Sequence, residues 1–201
     1  MNLPTILAGP IVRRVTAVDA YIWIVTSENL QIQGELYLMD QNPNLGTYEP
    51  LSIHSETETQ VVSEHLYISL IKLTPQGQPF PEGVLLGYNL FFISNHNTLD
   101  LGDFGYLSEK HPYSLVYQNM PYPTFSVPSA SSPATIMYGS CRKPHGKGPD
   151  ALRIAAEKVN SPTEHPDCLF LMGDQIYTDD VADSLFSLIQ IVQSALMEKK
   201  S

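Results

Sequence analysis

The sequence predicts a mixed β and α/β chain. A β-sandwich of immunoglobulin or fibronectin type is expected over residues 1–125, a linker over 126–133, and the opening β-α-β-α of a second domain over 134–201. Three observations predict this. Around six short β-branched or alternating runs, separated by turn formers, fill the first part. A stretch rich in serine and proline, Ser126-Val127-Pro128-Ser129-Ala130-Ser131-Ser132-Pro133, then breaks the pattern. Beyond it, two short apolar runs each end at a glycine and are followed by apolar residues at helical spacing.

The elements follow in order. Val12, Val15 and Val18 lie in a first β-branched stretch, where Arg13 and Arg14 read as solvated strand residues rather than as an export signal. Tyr21-Ile22-Trp23-Ile24-Val25-Thr26 and Gln33-Gly34-Glu35-Leu36-Tyr37-Leu38-Met39 are strands, the second by alternation. Residues 40–46, rich in turn formers, read as a loop. Thr59 to Val62 and His65 to Leu73 add two strands, and Val84 to Ile93 a strong one. Asn95-His96-Asn97 reads as a hairpin or loop. Residues 94–133, with Pro121, Pro123, Pro128 and Pro133, are expected to be an irregular, extended connector. Residues 134–138 are a strand. Gly148-Pro149-Asp150 starts a helix with Leu152, Ala155, Ala156 and Val159 on its apolar face. The uncharged run Cys168-Leu169-Phe170-Leu171-Met172 reads as a buried strand of a parallel sheet, with Cys168 a small buried hydrophobe. A last helix begins near Asp179 and Asp180. Its stripe is Val181, Leu185, Leu188, Ile189, Val192 and Leu196, with Lys199 and Lys200 at its end.

The formal net charge is −10 over 201 residues. That disfavours nucleic acid and anionic membrane as partners, since both call for positive charge. With two cysteines the chain is no disulfide scaffold. No run approaches the ~20 apolar residues of a membrane-spanning helix, and no signal peptide is visible, so a cytoplasmic location is expected.

The polar turns after the two later strands carry the chemistry. Asp174 and Tyr177 lie just past the 168–172 run, where open α/β sheets place their sites. Asp174 is either a metal ligand or the cap of the following turn. Tyr177 is a ligand or an ordinary half-buried aromatic. Cys141, after the 134–138 run, is a thiolate ligand, a nucleophile or a core residue. Arg142 and His145 are candidates to face an anion, because the loop leads to a helix N-terminus. Lys147 reads as solvated, and no P-loop pattern is present. Asp179, Asp180 and Asp183 are placed to cap the last helix, with Asp179 also able to support a metal site from outside its ligands.

The motif GSCRKPHG followed by LFLMGDQIYTDD resembles the PhoD-like phosphatases, the alkaline phosphatase D family of metallophosphoesterases. AGPIVRRVTAVDAYIWIVTS and PFPEGVLLGYNL resemble the β-rich domain that precedes the catalytic domain in many members. The resemblance implies a calcineurin-like metallophosphatase domain after the sandwich. Cys141, Asp174 and Tyr177 would be metal ligands, with Asp174 also the catalytic, metal-bridging residue. Arg142 and His145 would contact substrate. The implied cofactor is a binuclear centre of iron plus calcium or another divalent ion, and the implied substrate a small phosphomonoester or phosphodiester. The family adds Asn, Asp and His ligands from later strands. With three ligands in 201 residues, the expectation is the N-terminal portion of such an enzyme, inactive alone and holding one weak metal or none. The alternative is a non-catalytic binding module built on the β-sandwich, self-associating through an uncovered sheet.

Overall fold

The computed structural model describes residues 3–39, 47–95, 97–117, 120–129, 131–143, 146–152, 154–155, 166–177 and 179–197. The loop expected over 40–46 lies outside them. The chain divides into two compact units. One runs to Val127 and includes the chain from Gln190 onward; the other is Pro128–Ile189.

The first unit is all β. Strands β1 (Ile6–Val15), β2 (Ala20–Thr26), β5 (Ile53–Ser63) and β6 (Leu66–Pro75) form one antiparallel sheet in the order β1-β2-β6-β5. The second sheet runs β4 (Tyr48–Leu51), β3 (Gln31–Met39), β7 (Leu85–Ile93) and β8 (Thr98–Asp100). Strand β9 (Thr124–Ser126) also pairs with β7, at the end opposite β8. Strands β2 and β6 pair without a break from Ala20↔Leu73 to Thr26↔Tyr67. The even side chains of β2, Ala20, Ile22 and Ile24, are fully buried, as period-two alternation requires when one face meets a core. They join Ile71 and Leu73 of β6 with Ile32, Leu36, Leu86, Leu90 and Phe92 of the facing sheet in one cluster. Each isoleucine, leucine or phenylalanine among them contributes roughly 1.5–3 kcal/mol on burial. A Cβ at Gly34 would stand 2.7 Å from Leu73 Cδ2, so glycine lets β3 approach the opposite sheet.

Several expectations need correction. Residues 94–126 are not merely an extended connector. Asn89, buried on β7, donates from Nδ2 to Asp100 at 2.8 Å and accepts the Leu101 N–H at 3.3 Å, tying the β7–β8 hairpin to the core. Leu101, Val116 and Phe125 are buried. Proline removes a donor but not an acceptor, and Tyr88 N–H donates to the Pro123 carbonyl at 3.0 Å. Val127, inside the expected linker, is buried too, and its carbonyl accepts the Gly83 N–H at 2.8 Å. Strand β5 starts at Ile53, six residues before Thr59. Its polar, largely exposed sequence hides an edge strand from any hydrophobic pattern.

The second unit holds β10 (Ile136–Gly139) and β11 (Cys168–Leu171), paired in parallel with Ile136 opposite Cys168 and Gly139 opposite Leu171. Asp167 Oδ2 accepts the Thr135 N–H at 2.7 Å at the start of the pair. Ala151, Leu152, Ile154 and Ala155 are helical; Ala156 and Val159 lie outside the described residues. The expected burial of 168–172 is overturned, because Cys168 through Met172 are all exposed. A parallel strand is buried only when layers cover both faces, and among the described residues neither face of β11 is covered.

The last helix runs from Asp183 to Met197, starting later than expected, with Asp183 in its first turn. None of its residues is buried, and of the apolar stripe Leu185, Leu188, Ile189 and Val192 are exposed while Leu196 is half-buried. Lys199 and Lys200 lie outside the described residues. No helix among the described residues is long and apolar enough to cross a membrane.

Candidate metal centre

The parallel register dictates where the polar turns meet. Continuing the offset from Gly139 opposite Leu171 brings Cys141 opposite Gly173. Two backbone bonds extend the ladder: Met172 N–H to the Gly139 carbonyl at 2.8 Å, and Cys141 N–H to the Gly173 carbonyl at 3.2 Å. The chain then turns sharply on both strands. Cys141 has φ +58° and Asp174 φ +52°, and Gly173 between the strand and Asp174 has φ +103°. Left-handed backbone is unfavourable for a residue with a Cβ. Such residues concentrate at functional sites, held there by their surroundings.

These turns aim the side chains at one another. Cys141 Sγ donates to Asp174 Oδ2 at 3.4 Å, and Ser140 Oγ donates to Cys141 Sγ at 3.6 Å. The Tyr177 hydroxyl lies against the same thiol. Its pKa is pushed up to about 12, first by the hydrogen bond to Cys141, then by desolvation and by the negative charge of Asp174 and Asp179. Gln175 Nε2 donates to the Gly173 carbonyl at 2.7 Å, fastening the turn between Asp174 and Tyr177. Cys141, Asp174 and Tyr177 therefore converge, and Asp179 lies near enough to act on the phenol. Both cysteines are free thiols.

Arg142 and Lys143 are engaged by carboxylates. Arg142 Nη2 reaches Asp150 Oδ2 at 2.7 Å, and Lys143 Nζ pairs with Asp180. The pairing raises the Arg142 pKa and holds the Asp150 carboxyl below its ordinary value. Sequence reasoning missed both pairs. Asp150 and Asp180 look like helix-end residues, and nothing local marks the return of the Cys141 loop to them. His145 lies outside the described residues, as does His96. Ser94 N–H donates to the Asn97 carbonyl at 2.9 Å, the hairpin turn expected there. Beside Cys141 opens a cleft of about 340 Å³ lined by Arg142, Lys143 and Lys147.

The donor set fits a cation. A thiolate sulfur at ~2.3 Å and a carboxylate oxygen at ~2.1 Å from one ion, about 90–110° apart, are themselves ~3.1–3.6 Å apart. The observed 3.4 Å lies in that range. Among the described residues, no group of three or more His, Cys, Asp and Glu residues is placed to hold a metal ion. The third donor here is a tyrosine. Thiolate, carboxylate and phenolate together offer strong negative charge, which suits a trivalent or strongly Lewis-acidic ion. No family model matches the chain, and no curated protein matches it.

Proposed function

We propose that this chain carries the first ligands of a PhoD-like metallophosphoesterase centre, serving hydrolysis of a small phosphomonoester or phosphodiester. The observation that carries the reading is the convergence of Cys141, Asp174 and Tyr177 at the carboxyl ends of two parallel strands, with both strand-end residues in left-handed backbone. Cys141, Asp174 and Tyr177 would hold iron, and the second oxygen of Asp174 would reach towards calcium or another divalent ion. When bound, such a centre supplies Lewis-acid charge beside the phosphoryl oxygens. Arg142 and Lys143 in the cleft are paired with carboxylates, so the support for an anionic substrate in a chain of net charge −10 comes from Lys147 on its lining. The sheet orders β1-β2-β6-β5 and β4-β3-β7-β8 support the immunoglobulin or fibronectin reading of the first unit, whose two sheets combine strands in that way.

Metal ligation by a thiol and a phenol displaces their protons. The experiment is iron(III) uptake by the purified chain, followed by metal analysis after gel filtration. One bound iron per chain is expected, tightening as pH rises from about 6 to 8 and lost in Asp174→Ala. Uptake unchanged in Asp174→Ala would overturn the reading.

A second reading has its own support. Phe170, Leu171, Met172 and Ile176 are exposed in the second unit, Ile176 at 81%. Large apolar patches mark interaction surfaces, and a non-catalytic, self-associating module would use this one. Light scattering on the same fractions separates the readings: an iron-free oligomer supports the module, an iron-bearing monomer the metal centre.

A further inference from the structure

Arg142 and Lys143 follow Cys141 directly, and each is fastened to a different part of the second unit. Arg142 grips Asp150 as a fork: Nη2 to Oδ2 at 2.7 Å, Nε to Oδ2 at 3.1 Å and Nε to Oδ1 at 3.2 Å. Asp150 Oδ1 also accepts the Leu152 backbone N–H at 3.1 Å. One carboxylate thus caps the helical turn at Ala151 and clamps the residue beside Cys141. Lys143 pairs with Asp180, whose own N–H donates to the Tyr177 carbonyl at 3.4 Å. An exposed ion pair adds little stability. A planar fork on a carboxylate fixes orientation as well as distance. Orientation is what Cys141 needs, because its φ of +58° is one that a residue with a Cβ holds only when neighbouring contacts enforce it.

We infer that Arg142 and Asp150 are positioning residues for Cys141: their fork holds the cysteine in the backbone conformation that aims its sulfur at Asp174. This rests on the metal-centre reading and adds to it the pair that presets the thiol. Arg142 then acts through Cys141 and not on a bound phosphate.

The test uses the full chain carrying Cys168→Ser, so that Cys141 is its sole thiol, with cobalt(II) as the probe. Thiolate ligation is read from the near-ultraviolet sulfur-to-cobalt charge-transfer band. Asp150→Asn keeps an oxygen to cap the helical turn but removes the charged half of the fork. Arg142→Lys keeps the charge but removes the fork. Each is expected to weaken cobalt binding about 10–100-fold, the usual cost of losing a residue that orients a ligand. Asp150→Glu is expected to restore part of the loss. In the metal-free chain, both are expected to speed alkylation of Cys141 by iodoacetamide, with an unchanged far-ultraviolet spectrum. Unchanged cobalt affinity, band and alkylation rate in both variants would overturn the inference. A parent chain with no thiolate band, but with alkylation still accelerated by Asp150→Asn, would uphold the brace and sink the metal centre.

Discussion

Cys141 and Asp174 are the non-glycine residues with positive φ among those described. In the interior of a helix or strand glycine costs about 0.5–1 kcal/mol relative to alanine, because it loses more backbone freedom on folding. Position 141 reverses that order. Left-handed backbone costs a residue with a Cβ about 1–2 kcal/mol, which exceeds the entropy glycine loses. Cys141→Gly is therefore expected to be more stable than Cys141→Ala by about 0.5–1 kcal/mol in denaturant unfolding. Alanine as the more stable variant would show that φ at this position carries no strain. Neither variant retains the thiol, so both are expected to lose the metal. The identities of these residues could be read from the chain, because an acid, a phenol and a thiol at strand ends are unusual donors. Their strain could not, since it depends on partners remote in sequence: the ladder bonds between Gly139 and Met172 and between Cys141 and Gly173, and the Arg142–Asp150 fork beside Cys141.

At the level of elements, the tyrosines of β3, β4 and the approach to β9 make a pH-sensitive seam. Tyr37 and Tyr122 stack at 4.3 Å, and Tyr48 meets them edge-on at 5.2 and 5.1 Å. Burial, then a hydrogen bond to Tyr48, pushes the Tyr122 pKa up to about 12. Burial, then the Glu35 hydrogen bond, raises Tyr37 well above the ordinary phenol range, and burial raises Tyr88. A raised folded-state pKa means the neutral phenol is favoured by folding. The associated stability is whole below about pH 10, where an unfolded tyrosine ionises. It drains away as pH climbs towards and past 12. Alkaline unfolding followed by circular dichroism is expected to begin above about pH 10 and to coincide with phenolate absorbance. Full ionisation without unfolding would contradict the buried seam. Strands β2, β3, β6 and β7 were readable because β-branched alternation survives wherever one face is buried. Strands β4, β8 and β9 were not. They are three or four residues long and owe their place to pairing with β3 or β7. Strand β11 was readable as a strand but not as an exposed one, since its composition records a cover that the described residues do not supply.

Across the whole molecule, burial and chemistry are segregated. Among the described residues, the buried hydrophobic ones all lie at or before Val127, while Cys141, Asp174, Tyr177 and their ion-paired neighbours lie beyond it. Segments with few buried contacts open at low free-energy cost. A cation bound only by the folded second unit would stabilise it, by about 2.7 kcal/mol at a hundredfold excess over its dissociation constant. Composition exposed the acidic balance but not this division of labour. The cleft beside Cys141 appears only when the loop after β10 folds back onto Asp150. The most direct measurement is iron K-edge X-ray absorption on the iron-loaded chain. One sulfur scatterer at about 2.3 Å among oxygens, absent in Cys141→Ser, with a phenolate-to-iron band absent in Tyr177→Phe, is the expected result. An all-oxygen shell insensitive to both substitutions would mean that Cys141, Asp174 and Tyr177 do not share a metal ion.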